Sequence, residues 1–311
     1  MKDNHEMDDL FSFEGNEKNI ITKAKRKSTL RIASISGLVS FLVLILVILL
    51  KLQVTPWLLN KEIIAQDQYY DVYGANTFIG PWEESIRIIG SNATAPQYKL
   101  LDGQPVYRGE ISNDSNHIEV HLSPNRYETY NYFGGKVMNF LHPEVLSAQI
   151  PNEVQTIDAF REQQLIEVGL SFDKGYSLAE VQSMLPEELT LQWAWVETYS
   201  KGAIESLQAS DPPSHMLTEN EVIGFSLTDE TGAPVQEPEE RFIESVKSAK
   251  DQKGRYQKEM ASIYDGLSKS GSPEIKIIGA VVVGTKQELQ QLQNASYIRA
   301  SSIGAVADTF N

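Results

Sequence analysis

The sequence predicts an α+β extracytoplasmic region attached to a single N-terminal transmembrane helix. Three observations carry that expectation. Residues 32–50 form one uncharged run with basic residues on either side. Beyond it, short aromatic and β-branched stretches give way near residue 152 to alternating apolar strands and helices. The 311 residues include no cysteine, so a packed core rather than disulfides must hold the fold.

The run from Ile32 to Leu50 contains SFLVLILVILL and is apolar on every side. Nineteen residues rise roughly 28 Å as a helix, close to the ~30 Å hydrocarbon core of a bilayer. A buried core helix would need a large domain around it, and only a short polar segment precedes it. A cleaved signal peptide fits poorly, because the run exceeds the usual ~7–15 apolar residues and no small-residue cleavage site follows. Lys23, Lys25, Arg26, Lys27 and Arg31 crowd the N-terminal flank, whereas Lys51 stands alone on the other. The positive-inside rule therefore predicts a cytoplasmic N-terminus, a single pass through the cell membrane and a C-terminal region outside. Trp57 suits the outer interface.

Residues 52–311 carry 19 Lys/Arg against 36 Asp/Glu, a net charge near −17. Phosphate backbones repel such a surface, which argues against direct nucleic-acid binding and leaves basic peptides, metal cations or a solvated acidic face. Within residues 51–151 the expectation is a β-rich region. Asp102-Gly103 lies between two strand-like arms as a hairpin signal, and HIEVHLS and TYNYFGG read as further strands. Residues 51–68 read as an exposed stem.

Residues 152–311 read as an α+β domain. LIEVGLSF, LTLQWAWVETY, EVIGFSLT, IKIIGAVVVG and YIRASSIGAVA are its strand candidates. Ser177 with Glu180, and Thr285 with Glu288, fit capping boxes opening short helices between strands. The strand, helix, strand unit thus occurs twice, either as a repeat or as common α+β grammar. Between the two units, Phe242 and Val246, then Met260, Ile263, Tyr264 and Leu267, keep helical spacing and predict one buried face.

The chain offers little catalytic chemistry. Phosphate loops, nucleophile elbows and zinc-protease pentads are absent, and without cysteine there is no thiol nucleophile or Cys-based zinc site. His117 and His121 on an extended strand would stand about 13 Å apart, too far to share a metal. His142-Pro143-Glu144 reads as a turn. Asp158, Glu162 and Glu167, or Glu187 with Glu188, could pair, but among 42 acids such pairs arise freely. Asn92, Asn113 and Asn294 match the glycosylation triplet, a pattern common by chance. The expectation is no enzyme, no cofactor and no metal.

The leader is more informative. Asp8, Asp9, Leu10, Phe11 and Phe13 combine an acidic patch with apolar anchors. Residues 1–31 are too few to form a core alone and are expected to order only on a partner. The anchors could enter a groove while the acids meet basic residues; an inert tail whose aromatics dip into the membrane interface is the rival reading. KAKRK can hold anionic lipid.

The leader DDLFSFEGNE, the entry KAKRKSTLRIASISGLVSF, the segment QDQYYDVYGANTFIG and the later SFDKGYSLAEVQSMLPEELTLQWAWVETYS with VIGFSL together resemble the sigma factor regulators of Gram-positive bacteria, membrane anti-sigma factors similar to the YhdL type. The resemblance implies a regulator N-terminal region over about 1–110 and a regulator C-terminal region over about 155–305. It also implies a leader that holds an extracytoplasmic-function sigma factor at the membrane, alone or with a second membrane subunit, and an ectodomain that senses envelope state. The alternative is a membrane-anchored extracellular binding or assembly protein with no transcriptional role.

Overall fold

The computed structural model describes residues 13–87, 90–113, 119–121, 128–210, 215–269 and 275–309. They divide into two compact units, Met1–Trp57 and Leu58–Asn311.

Helix α1 (Phe13–Tyr70) contains the predicted span and extends well past both its ends. On the N-terminal side, Ile20 to Arg31 contains neither Gly nor Pro, and a helix already nucleated over the apolar run adds residues at little cost. Residues 13–31 are therefore helical, where the sequence was read as lacking structure of its own. Along the apolar run, Leu38, Leu42 and Leu46 are all more than half exposed, as expected of a surface facing lipid. Among the described residues this is the one helix long and apolar enough to cross a membrane. Pro56 lies inside α1 beside the boundary of the units and cannot donate to the carbonyl of Leu52.

The far end of α1 corrects the exposed stem. Leu59, Ile63, Gln66 and Tyr70 follow a 4-3-4 spacing and are all buried, with Leu59 2% and Gln66 1% exposed. Leu59 and Ile63 pack with Ala93 and Trp82. The predicted β-rich region accordingly begins only after Tyr70, because the partners that fold 59–70 into the core lie far downstream in sequence.

That region holds β1 (Thr77–Ile79), β2 (Glu83–Ile86), β3 (Ser91–Leu101) and β4 (Gln104–Ser112) in one antiparallel sheet. β1 and β2 share one side of β3, and β4 takes the other. The β3–β4 turn is Asp102-Gly103, with φ of 51° and 78°, the paired left-handed geometry that the Asp-Gly signal predicts. A second small sheet contains β5 (Glu119–His121), β6 (Thr129–Asn131) and β7 (Lys136–Val137), followed by β8 (Asn139–Phe140).

The remaining strands are β9 (Gln164–Tyr176), β10 (Thr190–Val196), β11 (Leu217–Thr218), β12 (Gly224–Ser226), β13 (Ile277–Thr285) and β14 (Ile298–Asp308). β11 pairs β8, and the others form a five-stranded sheet in the order β12-β10-β13-β9-β14. All neighbours are antiparallel, so β9 and β10 run parallel with β13 between them, and β13 and β14 run parallel with β9 between them. The twice-occurring strand, helix, strand unit is thus a pair of interleaved split β-α-β elements, in the ferredoxin-like order. Their connecting helices, α2 (Leu178–Met184) in the first and, later in the chain, a short helix from Lys286 in the second, open on the expected caps. Glu180 accepts from the Ser177 N–H at 2.7 Å, and Glu288 from that of Thr285 at 2.7 Å.

Helices α3 (Lys201–Ala209), α4 (Pro238–Asp251), α5 (Gln257–Lys269) and α6 (Lys286–Leu289) complete the regular structure with two 3₁₀ segments, Glu153–Ala159 and Gln290–Leu292. One face of the large sheet presents Ile166, Val168, Leu170 and Phe172, all inaccessible, to Val181, Leu185, Phe242, Val246, Met260 and Ile263. The other presents Trp193, Trp195, Ile278 and Val281 to Met138, Phe140, Leu217 and Val222. Burial on both faces explains why β13 is apolar without alternation. Each of these large side chains contributes about 1.5–3 kcal/mol by leaving water.

Candidate functional site

Three side chains from the last turns of α1 bond three different parts of the C-terminal unit. Asp67 Oδ1 accepts from Trp82 Nε1 at 2.8 Å, Tyr69 Oη donates to the Asn220 carbonyl at 2.7 Å, and Gln97 Nε2 of β3 donates to Tyr70 Oη at 2.7 Å. Tyr69 stacks on Tyr73 at 4.5 Å with 9° between planes and meets Tyr256 at 4.7 Å. The chain leaves the helix directly into the sheet region, where Gly224 N–H donates to Val72 O at 2.8 Å and Tyr73 bridges Ile223. Four tyrosines around one helix end combine large apolar area with polar tips that find partners, so the end is anchored by packing and by specific bonds together.

Beside this junction opens a cleft of about 780 Å³. Asp67, Tyr70 and Asp71 of the helix end form one wall. Phe78, Trp82 and Tyr98 contribute the aromatic surface, and the loop Thr228–Thr231 with Arg241 and Phe242 of α4 faces them. Phe78 and Tyr98 stack at 5.8 Å. The loop is shaped by Asp229, whose Oδ1 accepts from Thr231 N at 2.8 Å, Thr231 Oγ1 at 2.6 Å and Ala233 N at 3.0 Å. Those bonds hold its carboxyl below the usual range. Asp71 is exposed, yet the atoms crowding its carboxyl push it up, with Asp67 adding to the shift and Arg241 opposing it. Burial, then the Glu230 carboxylate, raises the Tyr98 phenol. The cleft therefore carries four carboxylates against one guanidinium.

Behind the junction lies a buried ionic node. Lys99 Nζ is 3.2 Å from Glu219 and 3.6 Å from Glu167, and the Arg108 guanidinium is 3.9 Å from Glu219. Asn76 donates to Glu167 at 2.7 Å, the Ala305 N–H donates to it at 3.0 Å, and the Met138 N–H donates to Glu219 at 3.1 Å. The node ties β3 and β4 to β9 and β14 across the boundary that the sequence placed between a β-rich and an α+β region. Burial pushes the Glu167 carboxyl up while Lys99 pulls it back.

The residues singled out in the sequence lie elsewhere. Asp8, Asp9, Leu10 and Phe11 fall outside the described residues, and Phe13 opens α1. Lys23, Lys25, Arg26, Lys27 and Arg31 are exposed along α1. Asp158 accepts from Gln290 at 2.5 Å, Glu162 pairs with Lys286 at 3.1 Å and Glu167 belongs to the node, so these three acids form no common site. His117 falls outside the described residues, while His121 lies on β5. His142 does sit in a turn, yet its ring is buried and bonds Glu197 at 2.7 Å. Asn92 accepts from Ser112 at 2.8 Å and Asn113 from the Ala93 N–H at 2.8 Å, which makes two of the triplet asparagines parts of the β3 framework. Sequence reasoning missed the cleft. Its one local signal was Asp229-Glu230-Thr231-Gly232, a turn-forming composition.

Residues 157–305 match the family model described as sigma factor regulator C-terminal, a range that takes in the five-stranded sheet as far as residue 305 of β14, helices α2 to α6 and the loops between them. No curated protein and no solved structure matches the chain.

Proposed function

We propose that this chain, a sigma factor regulator by the family membership of residues 157–305, is a single-pass membrane anti-sigma factor. Its N-terminus is cytoplasmic, and the leader holds an extracytoplasmic-function sigma factor at the membrane, away from RNA polymerase. The C-terminal unit lies outside and senses envelope state. The family match carries this reading. The apolar helix adds to it, because α1 is long and apolar enough to cross a membrane, as a single-pass regulator requires.

Asp8, Asp9, Leu10, Phe11 and Phe13 are the proposed contact residues, with the apolar three entering a groove on the sigma factor and the acids meeting its basic rim. Lys23, Lys25, Arg26, Lys27 and Arg31 would set topology, the KAKRK run would hold anionic lipid, and a second membrane subunit could share the load. The deciding experiment compares the full-length protein with a version lacking residues 1–22, each recovered in mild detergent from its native membranes, with bound proteins identified by mass spectrometry. A sigma factor recovered only with the intact leader is the expected result. Envelope proteins bound to both versions, and a sigma factor to neither, would instead make the protein an anchored extracellular binding module.

A further inference from the structure

We infer that the cleft at the end of α1 is a binding site for a basic peptide segment of a partner protein, one whose lysine or arginine side chains carry apolar neighbours. The inference rests on the sensing role proposed for the C-terminal unit and supplies the class of what is sensed.

Three independent features of the cleft support it. Its volume of about 780 Å³ lies within the range of ligand-sized clefts. Its walls are not simply acidic: Phe78, Trp82 and Tyr98, all half-buried, give flat apolar surface, which suits alkyl stems and lets a cation sit over an aromatic face. Its charge is unbalanced, since Asp67 and Asp71 on the helix side and Asp229 and Glu230 on the loop side face a single cation, Arg241. A metal ion does not fit this arrangement, because no three His, Cys, Asp or Glu side chains among the described residues converge to hold one. Carboxylates drawn from the helix end and from the loop, together with aromatic lining, match an extended ligand carrying separated positive charges. Such a ligand would touch Asp67, Tyr70 and Asp71, so occupancy bears directly on the last turns of α1.

The test uses the full-length protein in nanodiscs of neutral phosphatidylcholine and a fluorescein-labelled hexapeptide of alternating lysine and leucine, followed by anisotropy. The expected result is saturable binding that the same peptide with glutamate for lysine does not show. Asp71→Asn with Glu230→Gln should weaken it by roughly tenfold, the factor for losing two exposed ion pairs. Arg241→Gln should tighten it, a change of opposite sign that general damage to the fold would not produce. Equal affinity in all variants, absence of saturation, or complete displacement by spermine at matched charge would overturn the proposal; the last would identify a small polyamine instead. None of these outcomes touches retention of a sigma factor by the leader, which the pull-down reads separately.

Discussion

Lys99 has Glu219 at 3.2 Å and Glu167 at 3.6 Å, and its side chain is 1% exposed. A charge so placed is sustained by its partners and would be intolerable to them if removed. Lys99→Met leaves two buried carboxylates facing each other, and the C-terminal unit should lose about 3–5 kcal/mol in urea denaturation. Adding Glu167→Gln to the same variant should restore much of the loss, since Glu219 keeps Arg108 at 3.9 Å and it is the uncompensated charge and not the missing contact that costs most. Gly304 belongs to the same node: a Cβ there would collide with Glu167 Oε2 and press on Met138. Gly304→Ala should destabilise by about 1–3 kcal/mol, read as a lowered melting temperature. Asp229 predicts a pH response of definite sign. Its folded pKa lies below the unfolded value of about 3.9, so its contribution is complete above that value and is lost as pH falls through the lower folded one. Acid titration of the Thr231 and Ala233 amides by NMR should show the loop loosening only in that range, and Asp229→Ala should abolish the transition.

Elements differ in how much of them the sequence displayed. The hairpin at Asp102-Gly103 and the caps at Ser177 and Thr285 are local devices whose partners lie within a few residues, so their spacing is their signature. α4 and α5 were legible for the same reason, as Phe242, Val246, Met260 and Ile263 keep one face. The end of α1 was not. Leu59, Ile63, Gln66 and Tyr70 do share a face, but Pro56 precedes them and polar residues surround them, and the surfaces that bury them come from Trp82, Ala93 and Gln97. If that segment is core rather than stem, Leu59→Ala should cost about 2–5 kcal/mol in the C-terminal unit, whereas Leu58→Ala, one residue away and exposed, should cost little. Comparison of the two melting temperatures checks the assignment.

At the scale of the molecule, the leader and the C-terminal unit have separate tasks under the proposed function, and a leader variant should divide them. Alanine at Leu10, Phe11 and Phe13 together should release the sigma factor, raising transcription from its promoters, while membrane insertion stays unchanged. Unaltered repression in that variant would remove those three side chains from the interface. Scrambling residues 1–22 with the basic flank kept should give the same release, because topology depends on Lys23 to Arg31 and not on the residues before them.

The sequence by itself determined what depends on composition and short spacing. It set the apolar run of 32–50, the acid excess beyond it, the turns and caps, and a family likeness that the match over residues 157–305 bears out for the C-terminal domain. Tertiary structure alone decided what depends on residues remote along the chain. Interleaving of the two β-α-β elements follows from which strands pair, and the sequence pattern of β9, β10, β13 and β14 is equally compatible with other orders. Lys99, Glu167 and Glu219 lie far apart along the chain, and they become a node because folding brings three distant segments together. The cleft arises in the same way: Asp71, Trp82 and Glu230 acquire a common role only when α1, the β1–β2 segment and the loop before α4 meet. Local patterns report the free energy of neighbours, whereas a site assembled across the fold has no neighbour to announce it.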